Sequence, residues 1–82
     1  MKSVFVIKCF RANRQGVMSW AYLDGFKVVR EDGVHGVYCL WGLSPTAALQ
    51  FESECWADQL ADIVHEWAAC ERVDVDRVEV PA

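Results

Sequence analysis

The sequence predicts an α+β fold: a four- to five-stranded antiparallel sheet with one main helix packed on one face. Short β-branched and aromatic runs, separated by Gly-containing turns, supply the strands. Only the segment after Ser53 carries large apolar residues at helical spacing. The chain has 82 residues, two prolines and no repeat or linker composition, which fits a single domain over 1–82.

Val4 to Phe10 is nearly continuously apolar, so residues 3–10 read as a central strand. Arg11 to Gly16 is polar and ends in Gly, the signature of a loop. Trp20–Leu23 and Phe26–Val29 flank Asp24-Gly25, a pattern expected for a hairpin with a two-residue type I′ turn. A second turn at Glu31-Asp32-Gly33 leads to the strand Val37–Trp41, which Gly42 ends. Ser44-Pro45 reads as the cap and first residue of a short helical turn.

Ser53 is the expected N-cap of the main helix, roughly residues 54–69. Trp56, Leu60, Ile63, Val64 and Trp67 form its predicted sheet-facing stripe. Val73–Val75 and Val78–Val80 alternate like a closing strand, with a bulge expected at Asp76-Arg77.

A chain this short has a small core, but 54% of residues are hydrophobic, four of them Trp, so no metal or disulfide is required for folding. Cys9, Cys39, Cys55 and Cys70 are therefore expected as free, mostly buried thiols. No stretch has the character of a secretory leader or of a membrane-spanning helix. The expected location is the cytoplasm, with no membrane partner.

Charge is the most informative feature. Residues 1–43 hold six Lys/Arg against three acids, a balance of +3; residues 44–82 hold two Arg against nine acids, a balance of −7. The net charge of −4 disfavours nucleic acid and favours a basic protein surface. Glu54, Asp58, Asp62 and Glu66 recur every four residues, and no Lys or Arg occurs between Ser44 and Glu71. Like charges at that spacing destabilise a helix by roughly 0.2–0.5 kcal/mol per pair. The stripe is either a docking ridge for a basic surface or an ordinary solvated face. Trp20 or Trp41, on strands, is a candidate exposed anchor for a partner.

Lys8, Arg11 and Arg14 form a basic cluster that could contact RNA or DNA phosphates, with Trp20 or Tyr22 as stacking platforms. Its plainer reading is a solubilising loop that complements the acidic helix. A basic patch and an acidic ridge on one small body also allow a homodimer, head-to-tail or across a two-fold axis.

Chemistry is poorly supported. His65-x₄-Cys70 is the nearest approach to metal-ligand spacing, but the two residues would point about 140° apart around a helix. His35 and Cys39, as base and nucleophile, would stand more than about 10 Å apart along an extended strand. No cofactor, metal or catalytic residue is expected, and a small zinc or thiol protein is the third alternative.

Trp41, the pattern A-x-x-F-x-S-x-x-x-A over Ala48–Ala57, and the closing Val78-Glu79-Val80 resemble small phage and prophage-encoded α+β accessory proteins. The resemblance covers residues 41–80. It implies an inhibitor of host machinery, of the anti-CRISPR kind, acting in the host-cell cytoplasm. The combined expectation is a non-enzymatic inhibitor or adaptor that lays an acidic helix face on a basic host protein, such as a nucleic-acid-binding defence complex. The alternative is a small nucleic-acid-binding regulator using Lys8, Arg11 and Arg14.

Overall fold

A computed structural model of the chain describes residues 1–68 and 70–81. The elements run β1 (Lys2–Ala12), β2 (Met18–Glu31), β3 (Val34–Gly42), α1 (Glu54–Trp67) and β4 (Arg72–Val80). The four strands form one antiparallel sheet in the order β3-β2-β1-β4, and α1 packs against it.

β1 is interior, as its apolar run predicts, and its Val4, Val6, Ile7 and Cys9 are all buried. Strand alternation puts Ile7 and Cys9 on one face and Val4 and Val6 on the other. Ile7 and Leu23 meet Ala61 and Val64 of α1 in the core between sheet and helix. Trp41, Phe51, Leu60, Val73 and Val75 pack around them.

The β1–β2 hairpin is closed by Asn13, whose side-chain oxygen accepts from Gln15 N–H at 2.9 Å and Val17 N–H at 3.0 Å. β1 thus runs two residues beyond its expected end and the loop shrinks to 13–17. β2 and β1 pair only from Ala12↔Met18 to Lys8↔Tyr22. Beyond that the two strands part, and residues 49–51 enter between them. Phe5 and Phe51 exchange backbone hydrogen bonds of 2.8 and 2.9 Å, while Leu49 N–H donates to Leu23 C=O at 2.9 Å.

This parting corrects the expectation at Asp24-Gly25. The dipeptide is no turn: β2 continues through it, and the register with β3 shifts between Leu23 and Gly25. The two-residue turn lies at Asp32-Gly33, where both residues have positive φ (49° and 78°) between the paired Glu31 and Val34. That is the type I′ pattern.

Two further strand-and-turn expectations are corrected. The Ser44-Pro45 segment holds bends and no helical turn. β4 pairs with β1 without interruption from Lys2↔Val80 to Phe10↔Arg72, so Asp76-Arg77 makes no bulge. The bridge partner Phe5 faces residue 77 in that ladder, and the pairing of both edges of β1 leaves no slack for an extra residue.

Cys9 and Cys70 are joined by a disulfide, where free thiols were expected. The cause is tertiary. Glu71 N–H donates to Phe10 C=O at 3.0 Å, and that bond draws the link between α1 and β4 alongside β1. Cys39 and Cys55 remain free.

Candidate functional site

Ser53 caps α1 as predicted: its backbone is extended and its hydroxyl oxygen accepts from Trp56 N–H at 3.5 Å. The helix is then fixed at both ends. Just before it, Phe51 is hydrogen-bonded to Phe5; just after it, Cys70 is bonded to Cys9. Lys2 adds an ion pair to Glu52, and that hydrogen bond holds the Glu52 carboxyl below the usual carboxylate range.

The face α1 turns to the sheet differs from the expected one. Ala57, Ala61 and Val64 are buried, with Leu60 and Ala68 packed at the margin. Trp56, Ile63 and Trp67, predicted to face the sheet, are 68%, 43% and 52% exposed. Relative to the expected stripe the helix is turned by about 80°, at 3.6 residues per turn. The small alanines let the helix backbone approach the strands, which large indoles at the same positions would prevent.

As a result α1 presents two rows to solvent, about 140° apart around the helix on opposite flanks of its buried face. One is Trp56, Ile63 and Trp67; the other is Glu54, Asp58, Asp62 and Glu66, all exposed. Among the described residues none of these four acids is in an ion pair. Three of the basic groups pair elsewhere: Lys8 with Asp76 at 3.0 Å, Arg72 with Asp74, and Arg77 with Glu79. Beside the apolar row lies a groove of about 250 Å³ lined by Phe26, Phe51, Trp56, Gln59, Leu60 and Ile63.

The strand tryptophans are less free than the helix ones. Trp20 is half-buried, with Lys8 Nζ 4.5 Å from its ring centroid and the Phe10 ring tilted against it at 5.3 Å. Trp41 packs on the core and carries the Arg11 guanidinium at 5.3 Å. The signal for the exposed pair was the alanine row: Ala57, Ala61 and Ala68 define a second helical stripe that size-weighted periodicity passes over.

The basic cluster divides. By strand alternation Lys8 lies on the opposite face of β1 from Arg11, held between Trp20 and Asp76. Arg11 and Arg14 instead line an open cleft of about 680 Å³ with Tyr38, Cys39, Trp41 and Leu43 among its walls. Among the described residues no acidic one lines it. Burial pushes the Cys39 thiol above its ordinary value, and Arg11 partly offsets this.

Cys70 is consumed by its disulfide, so His65 and Cys70 cannot act together as metal ligands. The side chain of His35, the candidate base for Cys39, lies outside the described residues. No helix among the described residues is long and apolar enough to cross a membrane. Comparison with known proteins returns no matching family model, curated protein or solved structure.

Proposed function

We propose that this chain is a non-enzymatic, protein-binding inhibitor or adaptor that docks through α1 on a basic protein surface. The observation that carries this reading is a helix held at both ends that exposes an unpaired acidic row on one flank and a Trp-Ile-Trp row on the other. Desolvated indoles supply affinity at interface centres, and flanking charges steer encounter and select the partner. A complementary surface is a groove that receives the helix, apolar on one wall and carrying Lys or Arg on the other. The resemblance of residues 41–80 to phage accessory proteins supports a host protein as the partner, and a nucleic-acid-binding defence complex has such basic surfaces.

The test is affinity capture from bacterial lysate, followed by titration of the purified partner with wild type, Asp58→Lys/Asp62→Lys/Glu66→Lys, and Trp56→Ala/Trp67→Ala. Both variants are expected to weaken binding by roughly 10-fold or more, with the charge variant also abolishing the salt dependence. A partner bound equally by all three proteins refutes the reading.

A second reading, nucleic-acid binding, is favoured by the acid-free cleft where Arg11 and Arg14 meet Trp41 and Tyr38. It predicts salt-sensitive binding of a labelled single-stranded oligonucleotide that Arg11→Ala/Arg14→Ala removes and Lys8→Ala leaves in place. Absence of binding at low salt ends it.

A further inference from the structure

The sheet has two edges of opposite character. β4 is charged at five of its nine positions, Arg72, Asp74, Asp76, Arg77 and Glu79, and all five are engaged in ion pairs. Hydrated charge of this kind blunts an edge against further pairing. β3 reads Val-His-Gly-Val-Tyr-Cys-Leu-Trp-Gly, with no Lys, Arg, Asp, Glu or Pro. Among the described residues no strand pairs with its outer side.

The exposed apolar side chains follow the same division. Phe26, Val28, Val29, Tyr38 and Leu40 are between 41% and 66% exposed, whereas no β4 residue is among the exposed large hydrophobics. They lie where β2 has left β1, so that residues 25–31 hydrogen-bond only to β3 within the sheet. A two-stranded ribbon is marginal in water, and added strands stabilise it.

We infer that β3 pairs antiparallel with β3 of a second copy across a two-fold axis, joining two four-stranded sheets into one of eight strands. The occupant follows from charge. An edge without charges meets its own copy without like-charge repulsion, and the adjoining arm of β2, with Lys27 and Arg30 against Glu31 and Asp32, is balanced. The register that sets Tyr38 opposite Leu40 of the second copy does so twice by symmetry, placing the two Cys39 residues opposite each other. The acidic helices, which would repel if brought together, are not part of this contact. This pairing uses neither the basic loop nor the acidic ridge, so it stands apart from the charge-driven homodimer that the sequence alone suggests, and from the docking role of α1.

Sedimentation equilibrium between about 1 and 500 μM tests it, a range that spans weak to moderate self-affinity. Wild type is expected at twice the 9.3 kDa mass of one chain at the upper concentrations. Tyr38→Lys/Leu40→Lys is expected to raise the dimer dissociation constant by roughly 100-fold, because like charges then face each other. Trp56→Ala/Asp58→Lys is expected to leave it unchanged, which separates this contact from the helix surface. Hydrogen exchange of the β3 amides in wild type gives an independent readout should the Lys variant fail to fold: protection must rise with concentration at β3 and stay constant at β4. A monomer throughout the range, a dimer that withstands the Lys substitutions in a folded variant, growth beyond two copies, or β3 exchange independent of concentration overturns the inference.

Discussion

Cys9, on the interior strand β1, is bonded to Cys70, which follows the helix, with their Cα atoms 6.0 Å apart and a sequence separation of 61. A closed loop of that length removes much of the unfolded chain's freedom. Reduction, or Cys9→Ala/Cys70→Ala, is expected to lower stability by about 2–4 kcal/mol. Urea unfolding with and without reductant measures it. Equal midpoints would show that the bond contributes nothing.

The rotation of α1 makes size tolerance along the helix the reverse of what residue size suggests. Ala61→Leu is expected to cost about 1–3 kcal/mol by overfilling the space between Ile7 and Leu23. Trp67→Ala, at a half-exposed position, should change stability far less, within about 1 kcal/mol. Thermal melts of the two variants decide the matter: a larger loss for Trp67→Ala would mean that the indole faces the sheet.

The two Asp-Gly pairs make a matched experiment. Gly33 has φ of 78°, so Gly33→Ala is expected to cost about 1–2 kcal/mol. Gly25 lies in a strand, where an added methyl would meet Leu40 Cδ1 at an ordinary 3.7 Å. Gly25→Ala should therefore be neutral to within about 0.5 kcal/mol. Denaturant midpoints that rank the two substitutions the other way would restore the turn to Asp24-Gly25.

The free thiols should also separate chemically. The reactive form is the thiolate, and burial holds the Cys39 proton on to higher pH than usual, whereas Cys55 is exposed on the helix. Labelling of Cys39 should therefore accelerate only at higher pH than is usual for a thiol. Mass spectrometry after timed iodoacetamide treatment should find Cys55 modified first, and modification of Cys39 at an equal rate would contradict the burial.

What could be read from residues was largely local. The apolar density of β1, the hydroxyl of Ser53 and the Val alternation of β4 each define an element without reference to the rest of the chain. Asp24-Gly25 misled because its turn chemistry is the same as that of Asp32-Gly33. Competition with residues 49–51 for the space beside β1, a long-range matter, decides between them. The acidic row was legible because charges on a helix repeat visibly. The apolar row on the other flank was not, since large side chains at helical spacing describe an exposed ridge as well as they describe a core. The Cys9–Cys70 bond had no signal in spacing; strand register and the helix length create it.

The pairing of Lys2 with Val80 has a practical consequence for engineering. Directly opposed antiparallel residues lie about 5 Å apart between Cα atoms, so a linker of a few glycines and serines can join them. New ends opened in the exposed 13–17 loop would then yield a circular permutant in which β1 and β4 follow one another as a hairpin. The nine β1–β4 pairs would become local while the five β1–β2 pairs become long-range, and on that balance such a permutant should fold faster than the present chain order allows.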